Sequence, residues 1–273
     1  MRTVQRKLQP HFHPQDPPRD QSMAVMFHEA SKLDQYRMRE LAERIAQIQT
    51  GGYVRRIVNS YKSYPGLPQV ELPRANLVMQ NSLQNVIVQR RTVRQFDPEQ
   101  TVSQQELANI LQLAYGITGS LDLGNGVSQY QRATPSAGGL YPMELYLVAE
   151  RVQDIEPGIY HYRVATHGLE QLSAGSVAEH LQQNEQEWGL LSSAAFHLLI
   201  CAVPERTTFK YHERGYRFVL MEAGILGQQV GTIASCQGIQ WCMIGGFADD
   251  ALTHLLGLDG INEFVLLPIC FGR

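Results

Sequence analysis

Apolar residues along this chain recur on two periods, one helical and one of alternation. From Met23 to about Gln49 the positions Val25, Phe27, Leu33, Leu41, Ile45 and Ile48 return at roughly helical spacing, and Gly51–Gly52 stops that helix. Tyr61–Ala75 carries prolines at 65, 68 and 73, which predicts extended chain wrapped over a surface. Asn81–Gln89 reads as a short helix. Ser103 caps another through about Tyr115, with Glu106 three residues on completing a capping box. Gly116–Gln131 reads as a mobile loop, and Arg132–Pro142 is too rich in small residues and proline for regular structure. Strands are predicted at Met143–Glu150, Ala195–Val203, Ile239–Ile244 and Glu263–Cys270, with Gly158–Arg163 and Gly168–Leu172 as a hairpin. Further helices are expected from Val177 to about Leu191 and from Asp249 to Leu256. The stretch Thr208–Gly224 opens a central helix, about Tyr211–Gln237, that is apolar nearly all round. Such a helix belongs in a core or an extensive subunit interface. Helices flanking a largely antiparallel sheet make the fold class α+β.

Composition narrows the picture. The chain has 273 residues, 44% hydrophobic and 18% charged, and a net charge of -3. That suits one sizeable domain with an extension and points to neither a nucleic-acid surface nor a polybasic membrane patch. We expect an N-terminal extension over 1–80 (arm, helix and proline-rich linker) and a main domain over 81–273. Cys201, Cys236, Cys242 and Cys270 sit among apolar residues without paired spacing, as small buried hydrophobes of a reducing compartment do. Residues 1–22 lack the apolar core of a signal peptide, and no stretch approaches the ~20 apolar residues of a membrane span, so a cytoplasmic protein is expected. His11 and His13 have no further ligands nearby, and no metal is expected.

Four groups of residues can carry chemistry. In RRTVR, Arg90, Thr92 and Arg94 lie two apart; an extended segment turns all three to one face, a cradle for a phosphate and a polarised carbonyl or else a solvated basic edge. In TPSAGGLYP, Ser136 to Gly139 are small enough to let backbone N–H groups approach a flat ligand. Gly245–Gly246 after a strand offers a second close approach. Lys210–Tyr211 puts an amine and a phenol at the mouth of the central helix, a place for proton transfer or simply the wet end of a core element. No Walker loop, GxSxG elbow, HExxH or GxGxxG fingerprint is present, which removes the main support for P-loop, serine hydrolase, zinc hydrolase and Rossmann readings.

Together these stretches, from about Phe27 to Arg273, resemble the nitroreductase-like flavoproteins and, within them, the SagB-type dehydrogenases that oxidise azoline rings to azoles in modified peptides. RRTVRQF is similar to the family's flavin-phosphate motif, TPSAGGLYPMELYLV to its small-residue flavin loop, FKYHERGYRFVLMEAG to its Lys–Tyr stretch, and YKSYPGLPQVELP to its linker. The resemblance implies a three-layer α+β sandwich with a mainly antiparallel central sheet, an obligate homodimer with FMN across the interface. It implies that Arg90 and Thr92 hold the FMN phosphate and Arg94 faces the flavin C2 carbonyl. Pro135, Ser136 and Ala137 would line the flavin from the second subunit, Gly245 and Gly246 would bring an N–H near N5, and Arg273 would add a C-terminal phosphate contact.

Aromatising an azoline removes a proton and a hydride from adjacent carbons. The resemblance gives the hydride to FMN and the proton to Lys210, with Tyr211 as its partner. A lysine acts as a base only once its amine is freed of its proton, which burial or the nearby Arg214 and Arg217 would favour. Dioxygen is the expected electron acceptor and a cyclodehydratase the expected supplier of the azoline peptide. The alternatives are a carrier-tethered thiazoline as substrate, an NAD(P)H-dependent reductase of nitro, quinone or dehydroamino-acid substrates, and a flavin-binding scaffold without turnover.

Overall fold

The computed structural model describes residues 22–50, 58, 61–78, 82–124 and 126–273. The expectations for residues 1–21, including His11 and His13, and for Gly51–Gly52 fall outside the described residues. The first described elements are two helices, α1 (Met23–Ala30) and α2 (Gln35–Thr50), where one was expected. The break is local chemistry. The Ser31 hydroxyl donates back to the Phe27 carbonyl at 2.5 Å, and Asp34 Oδ1 accepts from the Tyr36 and Arg37 N–H groups at 2.9 Å each, capping a new helix.

A seven-stranded sheet forms the middle layer, in the order β1-β6-β5-β4-β7-β9-β8, and every pairing in it is antiparallel. The strands are β1 (Gln69–Glu71), β4 (Met143–Ala149), β5 (Gly158–Arg163), β6 (Gly168–Ala174), β7 (Phe196–Ala202), β8 (Gln240–Met243) and β9 (Phe264–Gly272). Strands β2 (Ile117–Asp122) and β3 (Ser128–Arg132) pair as a separate ribbon, so the loop expected over 116–131 is a hairpin. Its polar composition suits an exposed two-stranded ribbon and conceals the pairing. The proline-rich stretch supplies β1, which pairs with β6 and edges the large sheet.

The strand expected at Met143–Glu150 forms as β4, and every residue of it is buried. Alternation here decides which layer a side chain enters. Leu145 and Leu147, with Leu198, Ile200, Ile269 and Phe271, share a core with α4 (Gln104–Tyr115) and α7 (Glu213–Cys236), and α3 (Leu83–Gln89) packs against α7. Tyr146, Val148, Leu199, Cys201, Val265 and Cys270 join Leu181 of α5 (Ala178–Trp188) and Leu252 of α8 (Asp249–Leu255) on the other side. A sheet buried on both faces between helices is a three-layer α+β sandwich. The Ser103 capping box forms as expected, with Glu106 accepting from the Ser103 N–H at 2.9 Å.

Helix α7 lies close on β8 and β9. At Gly231 an added Cβ would collide with the Trp241 ring, so only glycine allows this approach. Its far face carries Leu220, Met221 and Ile225 at 40%, 57% and 44% exposure, an apolar stripe facing away from the core. No described helix is long and apolar enough to cross a membrane.

Candidate functional site

The expected central helix is interrupted. Lys210 and Tyr211 end a separate short helix, α6 (Glu205–Tyr211), and His212 at φ +50° turns the chain into α7. A non-glycine residue there is uncommon. The turn lays α6 against the first turns of α7 and aims the lysine and tyrosine at the small-residue loop. The loop reaches them through Gly138, at φ +66°: a Cβ added there would lie 2.5 Å from Tyr211 Oη and 2.9 Å from Lys210 Nζ. Two stretches 72 residues apart in the sequence, Gly138 and Lys210, therefore meet at one point. Lys210 Nζ also stands 5.2 Å from the Tyr211 ring centroid, and that ring packs edge-on to Phe218 at 5.2 Å. Beside them opens a cavity of about 590 Å³ whose wall includes Gln129, Arg132, Pro135, Ser136, Gly138 and Lys210.

The loop is tied from several sides. Ser136 Oγ accepts from the Tyr141 N–H at 2.8 Å, Tyr141 Oη accepts from the Arg132 N–H at 2.9 Å, and Gln129 donates to the Gly139 carbonyl at 2.7 Å. Arg132 is buried among Tyr61, Tyr115 and Tyr141, its guanidinium 5.5, 4.5 and 4.7 Å from their ring centroids. Glu222 of α7, 3% exposed, binds Ser136 from below and leaves Oε1 without a partner. Burial pushes its carboxyl up to about 7, against the Ser136 hydrogen bond and the Arg132 charge, which pull it down.

Between an ordinary glutamate value and about 7, the folded protein keeps a proton that the unfolded chain releases. Stability therefore falls as pH rises through that window, by a few kcal/mol in order of magnitude. Glu222→Gln is expected to raise the melting temperature at pH 8 and leave it nearly unchanged at pH 5. Thermal melts at the two pH values check this, and an equal shift at both would contradict it.

Beneath the loop runs a buried polar chain that sequence reading missed. Arg206 of α6 donates to the Tyr141 carbonyl at 3.2 Å and pairs with Glu144 at 2.5 Å. Burial raises the Glu144 carboxyl, but its bond to His161 and the Arg206 charge outweigh that and hold it at about 2. His161, fully buried, faces Glu144 at 3.0 Å through Nε2 and Glu170 at 2.9 Å through Nδ1. Glu170 accepts from the Tyr64 N–H at 3.0 Å. Tyr64 Oη meets Tyr146 Oη at 2.9 Å, and Lys62 donates to Tyr146 at 2.7 Å and pairs with Glu263. A lone acid in the apolar run FVLMEAGIL, as Glu222 is, was the one available signal for this layer. Arg214 and Arg217, expected near Lys210, bond Ser31 and His28 at the end of α1.

Arg90, Thr92 and Arg94 lie elsewhere. Arg90 ends α3 with its guanidinium 5.7 Å from the Trp241 ring, and its Nη1 stands 3.4 Å from Thr92 Oγ1; Thr92 and Arg94 are exposed. Trp241 lies under Gly231, while Lys210 and Tyr211 abut the start of α7 at Glu213. The two corners thus lie toward opposite ends of α7. Gly245 and Gly246 follow β8 with nothing within 4 Å of an added Cβ, leaving bare backbone open to a ligand. Arg273 has other partners: it pairs with Glu106 and donates to the Thr101 carbonyl at 3.4 Å.

Comparison with known proteins places these corners in context. The model of the nitroreductase family matches residues 87–273. MJ1384 of Methanocaldococcus jannaschii, which bears a provisional nitroreductase name, is 31% identical over 191 residues, 70% of this chain and 90% of its own. The microcin B17-processing protein McbC of Escherichia coli is 31% identical over 149 residues, 52% of this chain and 54% of McbC. A solved chain from Anabaena variabilis, also provisionally named a nitroreductase, superposes with a TM-score of 0.69 at 27% identity. The match covers 92% of this chain and 46% of that one. The chain thus spans about half the length of McbC and under half of the Anabaena chain.

Proposed function

Because the chain belongs to the nitroreductase family, we propose that it is an FMN-dependent dehydrogenase that oxidises azoline rings, thiazoline or oxazoline, to azoles in a peptide natural product. The observation that carries this reading is the convergence of Lys210 Nζ and Tyr211 Oη on Gly138 of the small-residue loop. A family member that only passes electrons from a nicotinamide to its flavin has no need of an amine and a phenol held together there. The likeness to a microcin-processing protein supports a peptide substrate. A cyclodehydratase acting earlier would supply the azolines.

The residues present fit FMN. Two guanidinium forks and a hydroxyl at Arg90, Arg94 and Thr92 suit a phosphate dianion and an electron-rich carbonyl, and the bare backbone at Gly245–Gly246 suits a flat ring. Arg273 would join them only by releasing Glu106. Pro135, Ser136 and Ala137 would line the flavin from a second copy of the chain, and the exposed Leu220, Met221 and Ile225 stripe supports a homodimer.

When bound, FMN supplies the acceptor for the hydride. Lys210 takes the proton from the adjacent ring carbon, and Tyr211 holds the ring nitrogen or the amine in register by its hydroxyl. Arg206, fixed between Glu144 and the Tyr141 carbonyl, keeps α6 and the loop at constant separation.

A second reading, an NAD(P)H-dependent reductase, is favoured by the match to MJ1384 over 90% of its length. One experiment separates the two: a cyclised peptide incubated in air with the purified protein and followed by mass spectrometry, beside anaerobic mixing with NADPH. Loss of two hydrogen atoms per ring is the expected result. Flavin bleaching by NADPH with no mass loss would establish the reductase instead.

A further inference from the structure

Two open spaces meet at the Lys210–Tyr211 pair. One lies on the loop side. The other, of about 440 Å³, adjoins Tyr211 between the N-terminal helices and the start of α7; Ala30, Leu33, Leu41, Tyr211 and Arg214 contribute to its wall. The N-terminal helices precede the residues matched by the family model, yet they are bonded firmly to the catalytic corner. Arg44 of α2 donates through Nε at 2.7 Å, and also through Nη2, to the carbonyl of Phe209, the residue before Lys210. Arg217 Nη2 donates to the His28 carbonyl at 2.9 Å and to Ser31 Oγ at 2.5 Å, and Phe27 packs edge-on to Tyr216 at 5.8 Å. The cleft is therefore a built space with fixed walls.

Its chemistry is selective. Arg37 is engaged by the Ala30 and Lys32 carbonyls, and Lys32 by Glu29. Arg214 bonds the Ser31 carbonyl through Nη1 at 3.3 Å and packs its guanidinium over the Phe218 ring at 5.6 Å. Ala30, Leu33 and Leu41 on the N-terminal wall, with the carboxylates of Glu40 and Glu213 beside them and Tyr211 at one side, suit a polypeptide, which brings apolar side chains and a backbone N–H at each residue.

We infer that this cleft holds the peptide segment flanking the ring to be oxidised, so that the ring is delivered at Tyr211 while the flanking chain lies along α1 and α2. The inference rests on the azoline-peptide reading and assigns the N-terminal helices to substrate selection. The test compares a cyclised peptide with a single-ring thiazoline amide that has no flanking residues. Leu41→Trp and, from the neighbouring wall, Leu33→Trp fill the cleft. Either is expected to raise KM for the peptide about tenfold or more, as losing ~1.4 kcal/mol of contact would, with kcat/KM for the single-ring amide unchanged. Equal loss on both substrates, or no loss on either in both variants, overturns the assignment. Anisotropy of a labelled peptide bound to the wild-type and filled-cleft proteins separates the layers of the argument. Binding weakened by the tryptophans without any oxidation by the wild type would keep the cleft and sink the azoline reading; no peptide binding to the wild type would sink the cleft.

Discussion

Lys210→Ala and Tyr211→Phe are each expected to lower azoline oxidation by about 10²-fold or more while the protein keeps its flavin. The size follows from what a positioned acid or base contributes to a proton transfer. Retention of flavin follows from position: neither residue belongs to the Arg90, Thr92 and Arg94 group, which sits at the other end of α7. Because amine and phenol share one point beside Gly138, the double variant should be little worse than the poorer single one, as for groups that act as a unit. The checks are the oxidation rate and the ratio of flavin to protein absorbance. Full activity in both single variants, with flavin bound, would remove the pair from the mechanism.

Gly138→Ala should produce nearly as large a defect without touching an ionisable group. The new methyl would fall 2.5 Å from Tyr211 Oη and 2.9 Å from Lys210 Nζ, and both are free ends of long side chains that can swing away. Displacing reacting groups by about an ångström costs on the order of 10²-fold in rate. The backbone, at φ +66°, adds only about 1 kcal/mol of strain. We expect kcat to fall about 10²-fold with a melting temperature lowered by a few degrees. Gly124→Ala is the matched control: it has φ +83° and nothing within 4 Å of the added Cβ, so it carries strain without contact. Equal loss of activity in the two variants would show that strain, rather than displacement of the pair, is responsible.

Much of the fold was legible because the periodic segments are long and strongly patterned. Ser103 with Glu106, the hairpin at Gly158 to Leu172 and the buried strands near residues 200 and 268 lie where pattern and turn chemistry place them. The misreadings have local causes. Apolar spacing ran straight through Ser31–Asp34 and through His212, because periodicity cannot see a side chain that caps a new helix or a residue held at positive φ. The β2–β3 ribbon was read as loop because its exposed strands carry the composition of one. Lys210, Tyr211 and the small-residue loop were each identified as motifs, and their meeting at Gly138 gives them a common place. Glu222, Arg132, Arg206 and His161 escaped because a buried polar residue earns its role from partners far away in the chain.

The bracketed histidine has a consequence for how the molecule can be cut. Lys62 and Tyr64 complete the polar chain from outside the sheet, so the proline-rich stretch serves as a closing member and not as a tether. Pruning the chain to its family-matched segment would leave Glu170, Tyr146 and Glu263 facing into the sandwich with fewer partners. Each orphaned group costs about 1–3 kcal/mol, more if charged. The disturbance would travel through His161, Glu144 and Arg206 to the floor of the loop, so amputation at a distant edge would be felt beneath Gly138.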